Sequence, residues 1–376
     1  QSLYLINLFF MKPVSIDHYL GKELILDLTG SPEELTYVGV LDRFNWITNH
    51  NSKLSIPQDN DIENGVKQTE KVIKTLYKYD DSRLSNIQKN TKKIAIFDYE
   101  NQLKELKDFP YLDYPLNQIG GIHLNTIEFM NSVHPIRSES EAKAFIKRTD
   151  LIKEVYGGLL NHLEKQASNG VFPPEFVYVH VINQLDEFIN ISNIEHPLYK
   201  QFMLKVGELD LNKDKVDYLE EEIRRSINES VTPGFKLLRN FMASTQKNAN
   251  KNHGIWSQPG GDEYYKLKIR TFTTTDYSPE KIHQMGLNEV KRISSRMREI
   301  LTSLGYDENK SVGELMNELN EDPDFLYADT PDRKEIVLKD YTDMVNEAIK
   351  VMTDYFHTMP KSCLLYTSDA ADDCRC

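Results

Sequence analysis

Apolar residues recur along most of the chain at three- and four-residue steps, the spacing that gathers them on one stripe of a helix. After Glu141 the stripe is Ala142, Phe145, Ile146, Ile152, Val155, Leu159, Leu160 and Leu163. A second follows Ser278 through Ile282, Met285, Val290, Ile293, Met297, Ile300, Leu301 and Leu304, and Gly305 ends it. A third follows Thr330 through Ile336, Tyr341, Met344, Val345, Ala348, Met352, Tyr355 and Phe356, up to Pro360. Residues 176–191 and 216–227 read as two more helices. Start signals agree with these stripes. Ser31-Pro32-Glu33-Glu34 joins a capping serine, an N1 proline and a glutamate at the third position. Ser138 and Ser311 repeat the cap with its glutamate, and Ser278-Pro279 and Thr330-Pro331 repeat the cap with its proline. Gly157-Gly158 interrupts the first stripe at about 1 kcal/mol per glycine relative to alanine. A kink or a close crossing is expected there.

Strand signals are few. Residues 264–275 alternate apolar with polar and are rich in aromatic and β-branched types, which reads as an irregular, partly extended segment rather than a secure sheet. No period of 20–50 residues recurs, and strands do not alternate with helices. The predicted fold is mainly α: packed long helices with a small irregular extended segment near 264–275.

Composition changes the picture at the ends of the chain. Of 376 residues, the cysteines are Cys363, Cys374 and Cys376 alone, so the body can carry no disulfide framework, thiolate nucleophile or Cys-ligated zinc. The stretch 363–376 departs from the Lys/Asn/Ile-rich idiom before it and resembles the in-frame translation of a sequencing adapter, so it is expected to lie outside the fold. The segment 1–14 is uncertain: its apolar run Leu3 to Phe10 suits the end of a signal peptide, a buried helix, or read-through before Met11. Residues 15–362 are then expected to be the N-terminal portion of a longer protein. No apolar stretch is long enough to span a membrane. A formal net charge of -13, with basic residues interleaved among acids, argues against nucleic acid as partner.

Candidate chemistry is sparse. Among ten histidines there is no His-Glu-x-x-His and no pair at i, i+4. Glu280 and His283 form one Glu-x-x-His, whereas a di-metal carboxylate bundle needs two. On the simpler reading Glu280 complements the helix dipole and His283 is partly buried and hydrogen-bonded. Pro259-Gly260-Gly261-Asp262 is too short for a phosphate loop, and Gly-x-Ser-x-Gly is absent. The dense block from His253 to Glu289 stands out, with Trp256, the Pro259-Gly260-Gly261 turn, Tyr264-Tyr265, three successive threonines and a capped helix. Such a segment suits a cleft wall offering hydroxyls and flat apolar surface together. The plainer alternative, which spacing alone favours, is a structural loop packed by its own aromatics.

The block Trp256-Ser-Gln-Pro-Gly-Gly-Asp-Glu-Tyr-Tyr265, then Thr273-Thr-Thr-Asp276, then 278–290, resembles the bacterial domain of unknown function 885. Leu35-Thr-Tyr-Val-Gly-Val, Tyr114-Pro-Leu-Asn-Gln118, His134-Pro-Ile136 and Gly170-Val-Phe-Pro-Pro174 extend the resemblance from about residue 15 to 362. It implies a largely helical, gluzincin-like zinc metallopeptidase whose His-Glu-Ala-x-Pro-Gly-His type motif lies beyond the matched segment. On that resemblance no residue here is a zinc ligand or catalytic, and zinc belongs to the full-length parent with its peptide substrate. This chain would supply a cleft wall and scaffold, inactive by itself. Trp256, Pro259, Gly260, Tyr264, Tyr265, Thr274 and His283 match the signature and are the candidate substrate-facing residues. The alternative is a non-catalytic helical module that binds a peptide or protein. Oligomeric state is open, as is compartment: cytoplasmic, or exported to the periplasm of a bacterium.

Overall fold

The structure, a computed structural model, describes residues 13, 15–39, 41–42, 48–352 and 354–356. The stretch 363–376 and nearly all of 1–14 lie outside the described residues. The fold is mainly α, as the periodicity predicts. Its helices are α1 (Ile16–Gly30), α2 (Pro32–Val38), α3 (Asp61–Leu76), α4 (Asn86–Asp108), α5 (Ile122–Glu128), α6 (Glu139–Ser168), α7 (Glu175–Asn190), α8 (Pro197–Gly207), α9 (Lys213–Ser226) and α10 (Thr232–Thr245). They continue with α11 (Gly261–Thr273), α12 (Pro279–Ser303), α13 (Val312–Glu321) and α14 (Arg333–Met352). The chain divides into two compact units, Gln1–Pro279 and Glu280–Cys376.

In the first unit α6 is the central post. Ser138 caps it by accepting the Glu141 N–H, and its stripe of Ala142, Phe145, Ile152, Val155, Leu159 and Leu163 is buried. Helices α7 to α10 pack around that stripe through Val181, Leu185, Phe202, Ile223, Phe235 and Leu238. Gly158 is the close approach expected from the glycine pair: a Cβ there would stand 2.4 Å from the Pro57 carbonyl oxygen, so an extended segment lies directly on the helix. A second insertion comes from a π-helical turn, Ile227–Val231, whose Ser230 hydroxyl accepts the Lys153 N–H and donates to the Asp150 carbonyl. A smaller core joins α1, α3 and α4 through Ile16, Tyr19, Val72 and Leu76.

In the second unit Ser311 forms a capping box with Glu314 at the start of α13. Leu301 of α12 and Leu315 of α13 are buried, and Tyr306 donates to Asp322. The Thr330-Pro331 signal marks a turn, with α14 beginning at Arg333.

One predicted feature is corrected. Residues 264–273 are helical, as part of α11, not extended. The same residues that alternate at period two also satisfy a helical face: Tyr264, Leu267, Lys268 and Thr271 stand at i, i+3, i+4 and i+7. Burying Leu267 and half-burying Tyr264 against α4 decides the choice. The β-branched threonines are accommodated by donating back to carbonyls four residues earlier, Thr271 to Leu267 and Thr273 to Ile269.

Candidate functional site

Three separated stretches of sequence meet at the loop that precedes α11. Asn250 pairs with the 170–174 loop in a short parallel bridge: its N–H donates to the Pro173 carbonyl, and its carbonyl accepts the Glu175 N–H. Gln258, buried, repeats the clasp one turn on. Its Nε2 donates to the Phe172 carbonyl at 2.6 Å while its Oε1 accepts the Phe172 N–H at 3.2 Å. Tyr114, from the third stretch, lies beside Gln258, which opposes the burial that pushes its hydroxyl up to about 12. Beneath the clasp lies a cavity of about 10 Å³ bounded by Tyr114, Phe172, Tyr178, Phe241 and Met242, room for about one water.

The loop itself is shaped by glycines. A Cβ on Gly261 would sit 1.8 Å from the Ile255 carbonyl oxygen, and one on Gly254 would sit 2.1 Å from the Trp256 indole nitrogen. The Trp256 ring therefore folds back over bare backbone, yet the residue stays 61% exposed. Gly260 takes the left-handed conformation at the start of α11, beside the Phe109 ring. Pro259 approaches Gly170.

Along α11, the Tyr264 ring meets Phe109 edge-on at 5.6 Å, and Glu105 of α4 accepts from both Lys268 Nζ and the Tyr264 hydroxyl. Burial raises the Tyr264 pKa. Tyr265 and Phe272 point away and are exposed. Thr274 ends the helix with φ of 53°, a left-handed conformation that a β-branched residue rarely adopts.

Six of the seven candidate residues, Trp256, Pro259, Gly260, Tyr264, Tyr265 and Thr274, thus belong to one loop-and-helix element. Trp256, Tyr265 and Thr274 are exposed on it, as are Pro259 and Gly260, while Tyr264 is half-buried in its packing. His283 belongs to the second unit. It is exposed and not partly buried, because the first turns of α12 present no buried side chain.

A second convergence carries no sequence signal as a site. Arg148, fully buried on the core stripe of α6, is held by neutral acceptors. Its Nε donates to the Lys53 carbonyl, and its Nη2 donates to Thr36 Oγ1 at 2.6 Å and to the Pro32 and His50 carbonyls. Nη1 donates to His134 Nδ1 at 2.9 Å, and the Phe129 ring lies 5.0 Å from the guanidinium carbon. Burial, then the neighbouring guanidinium, holds the His134 imidazole down at about 3, so it is neutral, accepting at Nδ1 and donating at Nε2 to the Glu141 carbonyl. Burial lowers Arg148 itself to about 10, with Glu33 and Asp42 acting the other way. Thr36 and His134, each from one of the signature pieces, meet at this residue. An arginine three residues past Phe145 and four before Ile152, on an apolar stripe, is the only hint in the sequence.

On the resemblance the zinc ligands belong to the part of the parent beyond residue 362, not to these residues. Among the described residues no three His, Cys, Asp or Glu side chains are grouped so as to hold a metal ion. Of the buried imidazoles, His134 uses both ring nitrogens, on Arg148 and the Glu141 carbonyl, while His50, His123 and His196 each use one, on Thr48, Gln184 and the Leu198 N–H. No catalytic step is therefore derived for this chain. Nor is any described helix long and apolar enough to cross a membrane.

Comparison with known proteins agrees with this architecture. A candidate lipoprotein from Colwellia psychrerythraea shares the fold with a TM-score of 0.77 and 23% identity, over 92% of this chain and 62% of its own. A candidate lipoprotein of unknown function from Shewanella oneidensis aligns with a TM-score of 0.61 and 10% identity, over 93% of this chain and 59% of its own. The chain thus spans about three fifths of the length of either solved relative. No curated protein matches it. Residues 32–366 match the profile of a family described as bacterial protein of unknown function, DUF885, and the chain belongs to that family.

Proposed function

We propose that this chain is the scaffold and one cleft wall of a zinc-dependent peptidase or related hydrolase whose metal-binding part lies outside it. The observation that supports this is the convergence of the 114–118, 170–174 and 250–275 segments on one rigidly clasped element that turns Trp256 and Tyr265 outward. A wall of this kind holds a peptide by flat apolar contact and hydroxyl donors, and leaves hydrolysis to groups on the opposite side. The two solved relatives, both candidate lipoproteins, favour the exported compartment over the cytoplasmic one.

The test is elemental analysis and a peptidase assay on the purified chain. We expect no stoichiometric zinc and no hydrolysis. Stoichiometric zinc together with activity lost to a chelator overturns the proposal.

A second reading, a helical module that binds a peptide or protein without chemistry, draws on the exposure of Trp256, Tyr265 and Phe272 on that same element. It requires that the intact gene encode no His-Glu-x-x-His beyond residue 362, so the complete reading frame separates the two.

A further inference from the structure

Within the described residues of the second unit, two helices carry apolar faces that are mostly exposed. On α12 and just past its end, Val290, Ile293, Met297, Ile300 and Leu304 alternate three- and four-residue steps, which keeps them on one narrow stripe. Val290 is 64% exposed and Leu304 50%, while Leu301, displaced to the side of the stripe, is the one buried residue of α12. On α14 and just past its end, Val337, Tyr341, Met344, Ala348, Val351 and Tyr355 follow the same alternation, and no residue of α14 is buried. By contrast α6 buries a full face of its length. The polar sides are already complete in water: Arg292 pairs with Glu289, Arg296 with Glu299 and Lys339 with Asp343. In proteins most helical stability comes from packing an amphipathic face, and alternating three-and-four spacing is the seam of side-by-side helix packing.

We propose that these two stripes are docking faces for the part of the family fold that the Colwellia psychrerythraea protein has and this chain lacks. More than a third of that relative's length has no counterpart here, although 92% of this chain is matched. Chain of that length supplies the helices that α12 and α14 need. The inference rests on the reading above that this chain belongs to a longer protein, but it concerns packing and not chemistry.

Hydrogen exchange read by mass spectrometry tests it, on this chain and on the chain continued from its source DNA to the family's full length. In this chain the amides of 290–303 and 337–352 exchange early. In the longer chain they slow by at least about 100-fold, as buried helices do. Equally fast exchange in the longer chain overturns the proposal. So does a reading frame that stops here, and so does light scattering that shows this chain alone to be a dimer with both stripes protected. Zinc content and peptide hydrolysis of the longer chain are measured separately. Protection without zinc leaves the docking faces standing and removes the peptidase; zinc-dependent hydrolysis with both stripes unprotected does the reverse.

Discussion

Single atoms decide the shape of the loop before α11. With its hydrogen replaced by a methyl, Gly261 would drive a Cβ into the Ile255 carbonyl oxygen at 1.8 Å, and backbone cannot rotate away as a side chain could. Gly261→Ala is expected to cost about 2 kcal/mol or more, by forcing the loop from its place. Gly286 is the control: it lies within α12 with nothing within 4 Å of an added methyl, so Gly286→Ala is expected to stabilise by up to about 1 kcal/mol. Urea midpoints of the two variants should move in opposite directions; movement together refutes the steric account. Thr274 stores strain of the other kind, a left-handed backbone under a β-branched side chain. If that residue only closes the helix, Thr274→Gly raises stability by about 1 kcal/mol, the relief of αL strain less glycine's extra entropy. A fall would mean that the threonine side chain itself holds the turn.

At the scale of elements, the buried Arg148 binds α6 to α2, to the 48–58 segment and to His134 through the carbonyl, hydroxyl and imidazole acceptors it gathers. Removing it strands those acceptors away from water. Arg148→Met, which keeps the length of the side chain, is expected to destabilise by at least about 3 kcal/mol in chemical denaturation. A loss under about 1 kcal/mol would show that water replaces the guanidinium. This residue also shows what a sequence reveals and what it hides. Long stripes such as the one on α6 are legible because the 3.6-residue period repeats many times, and the caps at Ser31, Ser138 and Ser311 because their partners lie three residues away. Residues 264–273 mislead because a run this short can satisfy two periods, and only the Phe109 and Glu105 surface, over 150 positions distant, selects the helix. Arg148 escapes notice because its partners lie up to 116 residues away. The signature residues are visible one by one. Their convergence at the Gln258 clasp is not, since each stretch looks like an ordinary loop until the others are beside it.

For the whole molecule, buried imidazoles set the response to acid. His134 and His196 are almost wholly inaccessible, and desolvation lowers them to about 3 and about 4; His50 and His123 are lowered in the same direction for the same reason. Unfolded, each would titrate near 6.5. Above that value neither state carries the proton, and the groups make no difference to stability. Below it the unfolded chain takes up protons that the folded chain refuses, so stability falls as pH falls, until the folded pKa is reached. Between pH 7 and pH 5, His134 and His196 should each cost about 2 kcal/mol, a large share of the 5–15 kcal/mol typical of a folded domain. Depressed carboxylates such as Glu139, held down by Lys143 and Lys215, act in the same direction but only at lower pH, through the acid range of a carboxyl group. The two causes are therefore separable by the window in which they act. Urea midpoints at pH 7, 6 and 5 should fall steadily in the wild-type chain. His196→Asn keeps a side-chain acceptor for the Leu198 N–H without a titrating ring, and should flatten that fall by about 2 kcal/mol. An unchanged slope in His196→Asn would remove His196 from the acid response.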